Sequence, residues 1–176
     1  SKNFTAGSVS SGAVFSLTPV WSLAATLGYT ERAPTFYELY ANGAHVATGT
    51  YEVGNANLSK EKAVSSDLAL RFDNGTHTGS VGVFYSHFSH YIGLLGTGRT
   101  LNDEGEPDAD GMPEYTYSVV RARFTGFEAK DHWKLGESAY GKFALERAGD
   151  YTRATNLDTG QALPRIAPLR LSSGLL

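Results

Sequence analysis

The residues best suited to binding chemistry lie in one polar stretch between positions 31 and 60. His45 stands there between two carboxylates, Glu38 and Glu52. Neutral imidazole and carboxylate oxygens are both zinc ligands, and a zinc ion usually takes about four of them. We therefore predict that these three side chains form an incomplete zinc site, to which other residues add ligands. The alternative is that His45 is an ordinary loop side chain hydrogen-bonded to the backbone.

Two further histidines, His87 and His90, occur in a stretch with a strand-like pattern. On a strand this spacing places the two rings on opposite faces, so they could share one ion only if a β-bulge intervened. We expect one of the two to point to the polar side of the strand. The pair is a further candidate for metal binding.

A short acidic stretch is the third feature. Its carboxylates are Asp103, Glu104, Glu106, Asp108, Asp110 and Glu114. Like charges gathered on one surface attract cations, most strongly at low salt. The stretch resembles part of a calcium loop, but it lacks the distal bidentate Glu of an EF-hand. We predict that it draws cations toward a binding site; the alternative is a hydrated, mobile loop.

The sequence offers no arrangement typical of an enzyme. It has no Gly-x-Ser-x-Gly elbow before a helix, no Walker loop, no His-Glu-x-x-His and no dinucleotide fingerprint. Cysteine is absent, which excludes disulfides and thiolate metal sites. The net charge of -3 gives no basic footprint for nucleic acid. We therefore expect neither an enzyme nor a nucleic-acid-binding protein, and no cofactor.

The elements that hold these residues have the pattern of β-strands. In residues 21–29 every second residue is apolar or aromatic, and these are Trp21, Leu23, Ala25, Leu27 and Tyr29. A period of two is the signature of a strand with one apolar face. Similar patterns recur in residues 4–17, 63–72, 79–94, 115–130 and 139–153, and around Leu171. We predict an all-β chain of about seven antiparallel strands.

The connections between these strands alternate between short and long. Short turns are predicted at residues 18–20, 73–76 and 135–138, and long loops at residues 31–60, 96–114 and 155–164. A transmembrane barrel has this asymmetry, with long extracellular loops and short periplasmic turns. The charged strand residues should then face the lumen, and these are Asp67, Arg71, Arg121, Arg123, Lys142 and Glu146. The alternative is a soluble antiparallel sheet, whose solvent face is equally polar.

Several segments carry a family resemblance. Glu-Arg-Ala-Pro-Thr-Phe-Tyr-Glu-Leu-Tyr at residues 31–40 is followed by Gly-Asn-Ala-Asn-Leu-Ser-Lys-Glu-Lys at residues 54–62. Further along stand Phe-Thr-Gly-Phe-Glu at residues 124–128 and Leu-Pro-Arg-Ile-Ala-Pro-Leu-Arg-Leu at residues 163–171. In this order they resemble the barrel region of TonB-dependent outer-membrane receptors. The resemblance covers nearly the whole chain.

The resemblance implies a barrel of roughly 22 strands, closed by an N-terminal plug that draws energy from the TonB complex. It also implies a location in the bacterial outer membrane, in contact with lipid and with a metal ion or metal chelate. Residues 1–176 would then be a partial β-barrel domain without the plug and the remaining strands. We expect such a fragment to transport nothing alone, because about seven strands cannot close around so wide a lumen.

The centre of the first long loop, residues 40–52, resembles the zinc-uptake subgroup of these receptors. Zinc is therefore the expected transported substrate. A siderophore, haem or cobalamin is the alternative within the family, since Phe36, Tyr37, Tyr40 and Tyr51 could contact a large ligand. The alternative outside the family is a soluble β-sheet domain with a structural or binding role.

Overall fold

A computed structural model gives the fold, and it describes residues 2–139 and 141–176. Strands make up most of this part of the chain. The elements are β1 (Ser8–Ser16), β2 (Trp21–Arg32), α1 (Phe36–Tyr40), β3 (Asn42–His45), β4 (Thr50–Val53), β5 (Glu61–Asp73), β6 (His77–Leu101), β7 (Met112–Ser138), β8 (Gly141–Asn156) and β9 (Arg170–Leu175). No helix among the described residues is long and apolar enough to cross a membrane.

The strands form one antiparallel meander in the order β1, β2, β5, β6, β7, β8 and β9. Tight turns join neighbours: between β5 and β6, Asn74 Oδ1 accepts from the His77 amide at 2.8 Å and Gly75 has a φ of 85°. Strands β3 and β4 form a separate hairpin, and β4 pairs in parallel with the start of β7. The predicted all-β antiparallel architecture is confirmed.

One face of the meander is apolar and exposed. The register places Leu68 opposite Val83, and Val83 opposite Phe127. Val83 is 54% exposed and Leu68 is 46% exposed. A continuous exposed apolar surface of this kind is typical of barrel strands that face lipid. We call it the apolar face. The opposite, polar face carries four of the charged side chains predicted for the lumen: Asp67, Arg71, Lys142 and Glu146.

Aromatic rings line the short-turn end of the apolar face. The ring centroids of Trp21 and Phe72 are 4.8 Å apart, those of Phe72 and His77 5.4 Å, and those of His77 and Trp133 6.0 Å. The row therefore crosses β2, β5, β6 and β7. Such rows mark the level at which a membrane barrel meets the lipid headgroups.

Two arginines lie on the face opposite to the predicted one. Arg123 pairs with His87 and lies on the same face of β7 as Phe127, which belongs to the apolar face. Arg121 is two residues from Arg123 and shares this face. The prediction of a lumen position was wrong because it took the apolar residues of this segment for lipid-facing ones. One of them, Ala122, is 0% exposed and packs in a cluster with Leu163 of the last long loop.

The strands extend further into the connections than predicted. β6 ends at Leu101 and β7 begins at Met112, so nine of the 19 residues of the predicted loop at residues 96–114 lie in these two strands. β7 also continues through the turn predicted at residues 135–138. β6 and β7 remain paired beyond two register shifts, one between Phe88 and Tyr91 and one between Gly96 and Thr100.

Candidate functional site

The first long connection begins with the short helix α1. The Glu38 amide donates to Thr35 Oγ1 at 3.2 Å, and the Thr35 amide donates to Glu38 Oε2 at 2.7 Å. This reciprocal capping box follows from the pattern Thr-x-x-Glu, which was present in a segment predicted to be loop. Leu39 of the helix is buried in a cluster with Leu58 and Ile92. The helix is therefore fixed against the loop end of β6.

Arg32 joins the helix to the barrel strands. Its Nη1 lies 2.9 Å from Glu38 Oε2, and its Nε lies 3.1 Å from Glu61 Oε1 at the start of β5. Glu61 Oε2 also accepts from the Ile92 amide at 3.0 Å. Burial alone would raise the pKa of Glu38, but the Arg32 guanidinium and the Thr35 amide outweigh it and hold this pKa below its usual range. Glu38 therefore remains ionised and holds the helix in place.

His45 and Glu52 face each other across the β3–β4 hairpin. His45 Nδ1 lies 3.9 Å from Glu52 Oε1 and 2.7 Å from Thr48 Oγ1. A chain of hydroxyls continues inward, since Thr48 Oγ1 is 2.7 Å from Thr50 Oγ1 and Thr50 donates to Glu52 Oε1 at 3.3 Å. The side chain of His45 is 45% exposed and that of Glu52 is 3% exposed. The imidazole is thus held at one nitrogen and open to solvent.

Glu52 also gathers partners from two other segments. Tyr37 of α1 donates to Glu52 Oε2 at 3.1 Å, and Arg165 Nη2 donates to Glu52 Oε1 at 3.2 Å. Burial, together with the nearby Glu52 carboxylate, raises the pKa of Tyr37. Arg165 belongs to the loop between β8 and β9 and has a φ of 61°, an uncommon value for a residue other than glycine. Glu52 therefore connects the loop between β2 and β5 with the loop between β8 and β9 through hydrogen bonds.

The structure brings together two of the three predicted zinc ligands. His45 and Glu52 are neighbours, whereas Glu38 is engaged with Arg32 and Thr35. In residues 2–139 and 141–176, no group of three or more His, Cys, Asp or Glu side chains is placed to hold a metal ion. The metal role of these residues stays a prediction. Sequence reasoning missed Arg165, because no local pattern links it to a carboxylate that lies 113 positions away.

The β-bulge that His87 and His90 would need is present. The register of β6 against β5 shifts there, so that His87 is opposite Val64 and His90 is opposite Lys62. Val64 and Lys62 are two residues apart on β5 and share a face, so the histidines lie on one side of the sheet. This is the apolar-face side, not the polar side expected for one of them. Lys62 opposite His90 and Arg123 opposite His87 are cations, which oppose metal binding.

The acidic stretch divides into one paired and five exposed carboxylates. Glu114 is 5% exposed and takes two bonds from Arg99, Nε to Oε2 and Nη2 to Oε1, both at 2.7 Å. This ion pair removes Glu114 from the set available to solvent cations. The exposed carboxylates form no ion pair within the described part of the chain, and they are Asp103, Glu104, Glu106, Asp108 and Asp110.

The aromatic residues of the first loop have different environments. Phe36 is 79% exposed and Tyr40 is 46% exposed, with ring centroids 5.1 Å apart. Tyr51 is buried and donates to Asn42 Oδ1 at 3.3 Å. Tyr37 is held by Glu52 and packs edge-on against Tyr117. Phe36 and Tyr40, together with the half-exposed but hydrogen-bonded Tyr37, therefore form the open aromatic surface of this loop.

Comparisons with known proteins agree with this architecture. The chain is 24% identical over 140 residues to an iron-regulated outer membrane virulence protein of Vibrio cholerae, an alignment that covers 79% of this chain and 21% of that protein. Its fold is similar to that of the copper transporter OprC, with a TM-score of 0.69, 19% identity and coverage of 93% of this chain and 23% of the other.

The siderophore receptor PirA from Pseudomonas aeruginosa is also similar, with a TM-score of 0.61, 19% identity and coverage of 96% of this chain and 27% of that receptor. The chain thus spans about a fifth to a quarter of the length of these proteins. The family model "TonB dependent receptor-like, beta-barrel" matches residues 1–176. The chain therefore belongs to the TonB-dependent receptor β-barrel family.

Proposed function

We propose that this chain is part of the barrel wall of an outer-membrane receptor that imports a metal-containing substrate, and that the substrate is zinc. The receptor would be energised by the TonB complex through a plug outside this chain. The observation that carries the proposal is the His45–Glu52 pair, with 3.9 Å between Nδ1 and Oε1, on a loop at the long-loop end of the barrel. No catalytic role is proposed for any residue.

The hydrogen bonds of His45 suit a metal ligand. Thr48 occupies Nδ1 and the Glu52 carboxylate lies on the same side of the ring. Carboxylates and hydroxyls placed in this way orient an imidazole whose other nitrogen binds a metal. Nε2 has no hydrogen bond within the described residues. His45 would therefore bind zinc through Nε2, with Glu52 as its orienting partner and further ligands from outside the chain.

The exposed acidic residues would assist capture. Asp103, Glu104 and Asp108 are exposed near the tip of the β6–β7 hairpin, and Glu106 and Asp110 accompany them. Their charge would raise the local concentration of cations at the mouth of the barrel. They would raise the association rate more than the affinity, and high salt would remove the effect.

A metal chelate, such as a siderophore, haem or cobalamin, is the second candidate substrate. The exposed rings of Phe36 and Tyr40 favour it, because a large chelate offers them a surface that a bare ion does not. The similar solved structures include both a copper transporter and siderophore receptors. Their shared fold does not distinguish the two classes of substrate.

Calorimetry on the full-length receptor in detergent tests the zinc proposal, with copper and ferric chelates titrated in parallel. Loss of a residue that only orients a metal ligand lowers metal affinity roughly 10–100-fold. Because His45 is proposed to bind zinc directly, the His45→Ala variant should weaken zinc binding by at least this factor. Unchanged zinc affinity in this variant would remove His45 from the site. Heat from a chelate, with none from zinc, would assign the receptor to the second class.

His132→Ala is the matched control. His132 is also half-exposed and also pairs with a glutamate, at 3.1 Å from Glu146 Oε1. It lies near the opposite, short-turn end of the sheet. Zinc affinity should therefore be unchanged in this variant, and an equal loss in both variants would indicate nonspecific binding of zinc to exposed histidines.

A further inference from the structure

Two arginines near the loop end of the apolar face have no partner. Arg123 on β7 and Arg153 on β8 are both exposed. Neither makes a side-chain hydrogen bond or ion pair within the described residues. The register pairs Arg123 with Thr155 and Thr125 with Arg153, so the two side chains are diagonal neighbours on one face. Such neighbours have their Cβ atoms about 7–8 Å apart or slightly less.

The residues that the register places beside this pair carry no negative charge. His87 is directly opposite Arg123 on β6. Arg121 has the same parity, and the nearby carboxylate of Asp158 is already engaged with Arg121, at 2.7 Å from its Nε. The adjacent Arg121 holds the pKa of Asp158 below its usual range, so this acid remains ionised beside its partner. The positive charge of Arg123 and Arg153 is therefore not balanced locally.

The opposite end of the same face is balanced. There Arg147 donates to Asp131 Oδ2 at 2.9 Å from Nε, and His77 also contacts the Asp131 carboxylate. Both ends of the face border the same apolar surface, but only Arg123 and Arg153, at the loop end, lack a carboxylate partner within the described residues. An unpaired arginine is stabilised where the environment itself supplies an anion.

The residues next to the arginines are aromatic. Tyr85, Phe127 and Tyr151 are each between 38% and 44% exposed on the apolar face. Tyr85 pairs with Thr125, and Phe127 pairs with Tyr151, immediately below the arginines. A ligand at this place therefore meets guanidinium groups at its head and an apolar, aromatic surface along its tail.

We propose that Arg123 and Arg153, with His87 beside them, bind a phosphate group of an anionic glycolipid in the outer leaflet of the outer membrane. Guanidinium forks match phosphate oxygens in planar, bidentate geometry. The acyl chains of the lipid lie along Tyr85, Phe127 and Tyr151. A free phosphate ion uses only the arginines and gains nothing from the apolar surface. The site does not depend on which substrate the receptor imports.

Lipid binding to the full-length receptor, purified and reconstituted in nanodiscs, tests the proposal. The probes are diphosphorylated lipid A and its dephosphorylated form. The wild-type receptor should retain the phosphorylated lipid about tenfold more than the dephosphorylated one, and the Arg123→Gln/Arg153→Gln variant should lose this preference. The Arg123→Lys/Arg153→Lys variant should keep only part of it, because the charge remains but the bidentate guanidinium geometry is lost.

The matched control is Arg71→Gln/Lys130→Gln. These two cations are also exposed and without a side-chain partner within the described residues, but they lie on the polar face. The control should bind phosphorylated lipid A like the wild type. Equal retention of both lipids by the wild type, or an equal loss in the two glutamine variants, would overturn the proposal. Displacement of the lipid by inorganic phosphate would also overturn it, because the ligand would then be a free anion.

Discussion

At the scale of single residues, two carboxylates of the same loop have different roles. Glu38 and Glu52 both stand near His45 in sequence, but Glu38 is held by Arg32 and by the cap of α1. Glu52 is nearly fully buried and accepts hydrogen bonds from Tyr37, Thr50 and Arg165. Residue type alone does not separate these roles, because the difference comes from the donors that surround each carboxylate.

Glu38 should make the first loop sensitive to acid. Its pKa in the folded loop is lowered from the usual 4.5, so its stabilising contribution is complete above that value. The contribution is lost as the pH falls through the lowered folded pKa. Hydrogen-exchange protection of the α1 amides, corrected for intrinsic rates, should therefore fall as the pH is lowered below about 4.5.

The Glu38→Gln variant provides the control for this effect. Its side chain keeps the shape of Glu38 but cannot titrate, so protection should be lower near neutral pH and nearly independent of pH below it. If this variant loses protection on acidification as steeply as the wild type, the titration belongs to another group, and the assignment to Glu38 is wrong.

At the scale of elements, α1 depends on its cap more than on its length. A helix of five residues is too short to be stable by propensity alone. Thr35→Ala removes the acceptor for the Glu38 amide and should cost about 0.5–2 kcal/mol of local stability. Hydrogen exchange of residues 36–40 measures this. Thr5→Ala, at a threonine whose side chain has no bond within the described residues, should leave these amides unchanged; an equal effect would contradict the cap assignment.

The motif Phe-Thr-Gly-Phe-Glu has a steric explanation at the level of the sheet. Gly126 of β7 lies opposite Phe84, whose ring covers it, and a Cβ at this position would overlap that ring and the Tyr151 carbonyl. Glycine is therefore required where the β6, β7 and β8 backbones and the ring approach closely.

Gly126→Ala should impair assembly of the barrel. The added methyl group must displace backbone as well as the Phe84 ring, so the folded, heat-resistant fraction of the full-length receptor on gels should fall clearly. Gly174→Ala is the control, because a Cβ on Gly174 meets nothing within 4 Å. Normal assembly of Gly126→Ala would show that the strands can shift to accept the methyl group.

At the scale of the whole molecule, the exposed apolar face determines where the protein resides. A soluble sheet would have to cover side chains such as Val81, which is 58% exposed. As a member of the TonB-dependent receptor family, with an outer-membrane protein of Vibrio cholerae among its relatives, the protein is located in the outer membrane. The alternative of a soluble domain is therefore wrong. The matched family is a receptor family, and the similar solved structures named above are a copper transporter and a siderophore receptor.

Substitutions at neighbouring positions of β5 should distinguish the two faces. Leu68→Arg places a charge on the lipid-facing side and should destabilise the folded receptor by about 2–4 kcal/mol if it lies near the bilayer midplane. Ala69→Arg places the same charge on the polar face and should cost much less. Unfolding titrations in lipid bilayers measure both. Equal costs would contradict the assignment of the faces.

The sequence by itself determined the existence of the seven strands of the meander, their antiparallel order and the apolar face of β2 and β5, but not the β3–β4 hairpin. These follow from a period of two, which is a local property of the extended backbone. It also contained the cap of α1 in the spacing of Thr35 and Glu38. Only the tertiary structure decided the partners of Glu52, the side on which Arg123 lies and the bulge at His90. Each depends on register or on contact between residues far apart in the chain, and local pattern carries no information about either.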